Sequence, residues 1–337
     1  MNNFLYSQLI QPNLDNKKTF LLLDDGKSFS YEEIISIASK ISHKLIKFGL
    51  KVGDHILVKA PKCKETIALY LSSIMTGAVY IPLNSNYTPI ETNYFVKDSK
   101  PAFLICEESE IQKLKPICDE IGCKILSMNV NGEGEITDGL KNFDSYFKPA
   151  FRKDEDLAAL LYTSGTTGKP KGAMLTQLNL VSNANQLVNL WNINHDDTLI
   201  HSLPIYHTHG LFVAMNTTMM AGATVRLLKN FNLDYVFEAF DKSTLMMGVP
   251  TFYTRLLKDK RLNKKHTKNM RLFISGSAPL LKETHKNFYD ITGHHILERY
   301  GMTETNMNSS NPLDGVRKAG SVGKPIKDIN IRISSTE

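Results

Sequence analysis

Leu160-Leu161-Tyr162-Thr163-Ser164-Gly165-Thr166-Thr167-Gly168-Lys169-Pro170-Lys171-Gly172 is the stretch on which the reading turns. A hydrophobic run passes directly into glycines, hydroxyls and lysines. Gly165, Gly168 and Gly172 let the backbone come close to a ligand and expose its N–H groups. Thr163, Ser164, Thr166 and Thr167 add hydroxyl donors, and Lys169 and Lys171 add positive charge. A polyphosphate needs this combination of many short donors and a counter-charge, held on a track by the preceding strand. The stretch is not a Walker A loop, which requires Gly five residues before a Gly-Lys pair and Ser or Thr after the Lys. Thr163 stands at the first of those positions and Pro170 at the second. A Gly/Thr surface turn is the plain alternative, but such a turn has no use for these hydroxyls and lysines together.

Outward from this loop, helix and strand signals alternate along the whole chain. The pattern predicts an α/β fold of layered, mostly parallel sheets sandwiched by helices. Thr19–Leu23 and Ser28–Phe29 flank Asp24-Asp25-Gly26, a hairpin signal. Ser30 with Glu33 forms a capping box opening a helix that stops at Gly49, and Thr88-Pro89 opens another. Further strands are expected at 56–59, 79–82, 102–106, 124–127, 157–162, 199–203, 224–228, 245–248, 272–275 and 295–298. Helices are expected between them, including 178–191 and 211–220. The polar, glycine-rich stretch 129–156 reads as a connection between approximate lobes 1–128 and 157–337, with strands interleaved between the two. Asn330-Ile331-Arg332-Ile333-Ser334 alternates like an opening strand.

Composition narrows the function. The 337 residues are 42% hydrophobic and 22% charged, enough apolar material for a substantial core. The net charge of +6 is spread out, apart from a denser run at Lys258–Lys268 that reads as a solvated face. No nucleic-acid-binding motif accompanies it, so no nucleic-acid partner is expected. Cys63, Cys106, Cys118 and Cys123 match no zinc spacing and read as reduced thiols of a cytoplasmic protein. The N-terminus lacks a signal-peptide pattern. Thr66–Ile90 carries no charge, but Gly77, Pro82 and Pro89 make it a buried helix, strand and loop rather than a membrane span. No motif speaks to oligomeric state.

Tyr162–Gly172 resembles the phosphate-binding signature of the adenylate-forming superfamily, which includes acyl-CoA synthetases, peptide-synthetase adenylation domains and beetle luciferases. Glu298-Arg299-Tyr300-Gly301-Met302-Thr303-Glu304-Thr305 resembles a second motif of that family. The resemblance implies that Tyr300 stacks near adenine, Thr303 touches the α-phosphate and Glu304 helps to hold Mg²⁺, a role that suits a hard carboxylate oxygen. It extends nucleotide contacts over Thr163, Ser164, Gly165, Thr166, Thr167, Gly168, Lys169 and Lys171, and over Gly276, Ser277, Ala278, Pro279, Gly301 and Met302. Thr163, Lys171 and Glu304 are the catalytic candidates. Leu203–Gly210 resembles the segment whose His or aromatic residue gates the acyl site, which maps to His207. The alternatives are a His207–His209 metal pair and a core role for His209.

The stretch from His201 to Pro312 is similar to malonyl-CoA synthetases. Arg299 precedes Tyr300-Gly301, where long-chain relatives usually carry a small residue. A guanidinium there suits the second carboxylate of a diacid, gripped by two hydrogen bonds, while a structural ion pair is the alternative. The resemblance implies substrate contacts from His207, Ser277, Arg299 and Met307. The implied reaction joins a small carboxylic acid, malonate favoured, to CoA through an acyl-adenylate, with ATP and Mg²⁺. A different short acid, or an inactive fragment serving as a nucleotide-binding or assembly module, are the other readings.

Family members continue past the equivalent of Ile333 with a Tyr-x-Thr-Gly-Asp segment, a hinge and a small C-terminal domain bearing a catalytic Lys. None of these motifs occurs in this sequence. The resemblance therefore implies an incomplete N-terminal adenylation domain. The third subdomain, the C-terminal domain and most of the CoA site would lie outside it, with a separate C-terminal fragment as a partner.

Overall fold

The computed structural model describes residues 3–163 and 168–334. The chain divides into two compact units. The first comprises Met1–Leu21, Ser28–Val181 and Ile205–His207, and the second Leu22–Lys27, Ser182–Pro204 and Thr208–Glu337.

Helix α1 (Phe4–Leu9) is followed by β1 (Thr19–Leu23) and β2 (Ser28–Ser30). Gly26 turns between them at φ 84°. Helix α2 (Tyr31–Lys47) begins with the expected capping box, Glu33 N–H to Ser30 Oγ at 3.1 Å and Ser30 N–H to the Glu33 carboxylate at 2.6 Å. Then follow β3 (His55–Lys59), α3 (Lys64–Thr76), β4 (Val79–Pro82), α4 (Pro89–Ser99), β5 (Phe103–Cys106), α5 (Glu108–Ile121), β6 (Lys124–Ser127), β7 (Leu157–Thr163), β8 (Lys171–Thr176) and α6 (Gln177–Leu190). The first unit's sheet runs β6-β5-β3-β4-β7-β8, parallel as far as β7. Strand β8 returns antiparallel, with Thr163 opposite Lys171 and Tyr162 opposite Gly172.

That returning strand was expected as loop. Pro170 and Gly172 hide its signal, yet Met174 is 69% exposed and Leu175 is 1% exposed, the alternation of a half-buried strand. The stretch 129–156 lies within the first unit, tied down where the buried Lys44 ammonium donates to the carbonyls of Glu135 and Asp138. The buried Lys59 ammonium pairs with Glu110. Thr66–Ile90 supplies most of α3 and all of β4. No helix among the described residues is long and apolar enough to cross a membrane.

The second unit contains β9 (Thr198–His201), a π-helix His209–Met215, α7 (Asn216–Met220), β10 (Thr224–Leu227), α8 (Leu233–Phe240), β11 (Leu245–Gly248), α9 (Pro250–Leu257), β12 (Leu272–Ser275), α10 (Lys282–Thr292), β13 (Leu297–Met302), β14 (Asn306–Ser310) and β15 (Lys324–Pro325). Their order in the sheet is β15-β14-β13-β12-β11-β9-β10. Strands β10, β9, β11, β12 and β13 are parallel, and β14 and β15 are antiparallel. One apolar cluster, around Phe240, Tyr253, Phe273 and Phe288, covers one region of the unit, and another holds Trp191, Leu199, Ile274 and Leu297. The α/β architecture is the expected one. Three details differ. The helix expected from Leu211 begins at His209 as a π-helix. The strand expected at 295–298 runs on to Met302. Asn330–Ser334 is exposed and forms no strand, because among the described residues it finds no ladder partner.

Asp197 pins three segments of this unit. Its carboxylate accepts from Arg271 Nε at 2.8 Å and Nη2 at 2.5 Å, and from Thr244 Oγ1 at 2.6 Å. Burial works to raise the Asp197 pKa, but these hydrogen bonds outweigh it and hold the group below the usual aspartate value. The contribution is therefore present above the unfolded carboxylate's pKa and lost as pH falls through the folded value. Asp197→Ala should destabilise the unit by about 2 kcal/mol in urea unfolding at pH 7, because a partly buried guanidinium loses its counter-charge. The deficit should shrink as the pH is lowered toward 3.

Candidate functional site

In open α/β sheets, ligands bind beyond the carboxyl ends of the strands. The candidate residues of both units sit there.

In the first unit, the phosphate loop joins the carboxyl end of β7 to β8. Ser164, Gly165, Thr166 and Thr167 lie outside the described residues. Gly168 turns at φ 98°, in the region that favours glycine. Lys169 and Lys171 are exposed, with their charges available to an anion. Thr163 Oγ1 donates to the Lys171 carbonyl at 3.4 Å across the hairpin. An added Cβ at Gly172 would come 2.6 Å from Leu160 Cδ2, so close strand packing requires glycine there.

Sequence reasoning missed what anchors this hairpin. Tyr94 on α4 donates its hydroxyl to the Pro170 carbonyl at 2.7 Å, and Tyr162 donates to Asp98 at 2.6 Å. The rings of Tyr94, Phe95 and Tyr162 pack together, Phe95 and Tyr162 with centroids 4.6 Å apart. The anchors lie far from the loop along the chain, so no local pattern could have flagged them. His207 also belongs to this unit. Its ring packs on Tyr206 at 4.6 Å, and desolvation lowers its pKa, favouring the neutral ring.

In the second unit, the segment after β12 and the end of β13 with its turn into β14 carry the remaining candidates. After β12, Gly276 is buried, while Ser277, Ala278 and Pro279 are exposed. Ser277 adopts φ 69°, a left-handed conformation that costs a residue with a side chain about 1 kcal/mol or more. Its Oγ meets His209 Nδ1 at 3.2 Å. His209, expected as a core residue or a metal ligand, is thus a buried partner of a candidate pocket residue. Among the described residues no group of three or more His, Cys, Asp or Glu side chains gathers as a metal cage.

The turn between β13 and β14 carries the second motif. Tyr300 is 45% exposed and Met302 44%, so flat apolar surface is available to a ring. Glu304 is exposed on the turn itself. A single accessible carboxylate fits Mg²⁺, which commonly takes one or two protein carboxylates and completes its shell with phosphate oxygens and water. Met307 is 2% exposed, held by paired bonds with the Asn183 amide at 3.0 and 3.3 Å. Its Cε would lie 2.4 Å from a Cβ at Gly301, and the Asn306 carbonyl oxygen 2.2 Å away, which explains glycine at the bulge between Tyr300 and Gly301.

Arg299 is the electrostatic exception. It is 3% exposed, and its Nε and Nη2 have no hydrogen-bond partner among the described residues. Its guanidinium lies against Gly276, where a Cβ would come 2.3 Å from Cζ. The neighbouring Glu298 offers no relief. Successive strand side chains point to opposite faces, and the Glu298 carboxylate instead accepts from the Leu280 N–H at 3.1 Å. The alternative of a structural ion pair for Arg299 therefore finds no carboxylate among the described residues. Burial pushes the Arg299 pKa down to about 9. A buried cation with unpaired donors favours an anionic partner.

The AMP-binding enzyme family matches residues 11–337. The chain belongs to this family. A malonate–CoA ligase of Arabidopsis thaliana is 32% identical over 93% of the chain, and the mitochondrial malonate–CoA ligase of Xenopus laevis 33% over 95%. The chain spans 58% of the length of each of these relatives. Among solved structures, ATP-bound MatB from Rhodopseudomonas palustris superposes with a TM-score of 0.94 at 45% identity, covering 97% of this chain and 65% of that one. A malonyl-CoA ligase in a ternary product complex with methylmalonyl-CoA and AMP matches with a TM-score of 0.79 at 28% identity, covering 94% of this chain and 65% of that one. The fold is that of the N-terminal region of these AMP-binding enzymes.

The Tyr94 bond is open to a direct test. Tyr94→Phe removes one hydrogen bond from the loop hairpin and leaves the ring cluster in place. It should weaken Mg-ATP binding about three- to tenfold in calorimetry, with little change in melting temperature.

Proposed function

We infer that this chain carries the ATP- and acid-binding groups of an AMP-forming acid–CoA ligase whose acid is malonate. The buried, unpartnered guanidinium of Arg299 is the observation that favours a diacid. A monocarboxylate leaves nothing to neutralise that charge, whereas the distal carboxylate of malonate offers the guanidinium an acceptor. The named relatives that act on malonate support the same reading.

In this reading the phosphate loop, Thr163 to Lys171, holds the β- and γ-phosphates through backbone N–H groups, hydroxyls and the two lysines. Tyr300 supports the adenine ring, Thr303 contacts the α-phosphate, and Gly276 to Pro279 line the nucleotide. Glu304 would hold Mg²⁺, which supplies Lewis-acid neutralisation of phosphate charge. Arg299 and Ser277 fix the distal carboxylate, and His207 and Met307 border the acyl group. The reacting carboxylate oxygen then forms a bond to the α-phosphorus as the bond to pyrophosphate breaks. Aligning two anions and neutralising them lowers this barrier more than acid–base groups would. CoA thiolate subsequently attacks the acyl carbon and AMP departs. His207, held neutral by desolvation, adds no charge beside the acyl group.

Two measurements test the proposal. Arg299→Leu should weaken malonate binding about a hundredfold in the presence of Mg-ATP, and change Mg-ATP binding itself by less than threefold. Equal malonate affinity in wild type and variant would refute the diacid reading. In the wild type, propionate should bind at least about tenfold more weakly than malonate, because a monocarboxylate leaves the guanidinium uncompensated. Arg299→Leu should remove most of that difference.

A further inference from the structure

Gly276 and Ser277 form the wall against which Arg299 lies, and that wall is held from outside. The Ser277 backbone is left-handed at φ 69°, which a serine does not adopt without support. The support is the 3.2 Å contact from His209 Nδ1 to Ser277 Oγ. His209 is 5% exposed and is the first residue of the π-helix His209–Met215, all of whose residues are buried. π-Helices are rare and concentrate at functional sites. Its start is locked at Gly210. A Cβ there would lie 2.0 Å from the Pro204 carbonyl oxygen, so the two backbones are in direct contact. The Gly210 carbonyl is bonded in turn to Nε2 of His201, a residue with no solvent exposure at the carboxyl end of β9.

These contacts form a chain within one unit: His201 to Gly210, then His209 to Ser277, then Gly276 to Arg299. We propose that His209 and His201 are positioning residues of the acid site. His209 holds the Ser277 hydroxyl and its left-handed backbone, so that Gly276 stays flat against Arg299 and the open guanidinium N–H groups keep their orientation toward a distal carboxylate. His201 keeps His209 in place by fixing the first turn of the π-helix. The pair thereby sets the preference for a diacid, and acts on it more strongly than on the nucleotide that Gly276 to Pro279 also line. The inference rests on the reading of Arg299 as the carboxylate receptor.

The two histidines use opposite ring nitrogens, and this makes the test specific. An asparagine amide reproduces a hydrogen-bonding group at the Nδ1 position, and a glutamine amide reproduces one at Nε2. His209→Asn should retain malonate affinity within threefold of wild type, while His209→Gln and His209→Ala lose about tenfold, the equivalent of one hydrogen bond. At the other position the order reverses: His201→Gln should be tolerated and His201→Asn should lose about tenfold. Malonate binding to the full chain is measured by calorimetry with saturating Mg-ATP, and Mg-ATP affinity, measured separately, should fall by less than threefold in every variant. Asparagine and glutamine behaving alike at each position, or losses that follow melting temperature and extend equally to Mg-ATP, would reduce both residues to structural packing and overturn the proposal. If Arg299→Leu weakens malonate binding but the histidine variants do not, the positioning role fails and the diacid reading stands. If wild type and Arg299→Leu bind malonate alike, the diacid reading fails and this inference goes with it.

Discussion

Placing a guanidinium beneath the surface against the Gly276 backbone costs free energy that the surrounding protein does not return. Most buried arginines meet a carboxylate. Here Glu298 is next in the chain but projects to the other face and bonds the Leu280 amide. The fold therefore keeps a standing electrostatic deficit at Arg299, visible in its depressed pKa. On the diacid reading proposed above, a carboxylate ligand removes that deficit, and binding energy falls on the group that distinguishes a diacid from a monoacid. Specificity of this type, in which a site is left unsatisfied by the wrong substrate, discriminates more strongly than apolar shape does.

The deficit is tolerable because the elements around it are rigid. Strands β12 and β13 run parallel in register, with Ile274 opposite Leu297 and Ser275 opposite Glu298. Glycine at 276 removes the side chain that would collide with Arg299, and glycine at 301 does the same for the bulge over Met307. Both positions are cases in which backbone approach, not backbone flexibility, demands glycine. On the other side of Gly276, the strained Ser277 is held by a histidine whose own helix begins in an unusual geometry. Strain of this type persists only when neighbouring contacts over-determine it.

The first unit solves a different problem. Its exposed lysines and loop glycines offer charge and N–H groups to an anion, but such a loop is held only if its stem is. The antiparallel return of β8, the aromatic cluster of Tyr94, Phe95 and Tyr162, and the Tyr94 bond to Pro170 supply that stem. A mobile donor set would lose to entropy what it gained in hydrogen bonds.

Much of this was legible in the residues alone. Alternating periodicity determined the α/β class, because burying a strand or a helix face imposes its own spacing on apolar residues. The capping box at Ser30 and the Thr88-Pro89 pair marked helix starts to the residue, since such signals are local to the first turn. The phosphate loop and the motif at 298–305 were readable because their chemistry is contiguous. What the sequence could not decide were relations between distant residues. It left Arg299 open between ligand and ion pair, His209 open between core and metal, and β8 hidden behind a proline and a glycine. Only the tertiary structure shows the neighbours that bear on these: Glu298 turned away from Arg299, Ser277 brought to His209 across 68 residues, and Lys171 paired with Thr163. The physical reason is that burial and hydrogen-bond satisfaction belong to the packed neighbourhood, whereas propensity and short motifs belong to the chain.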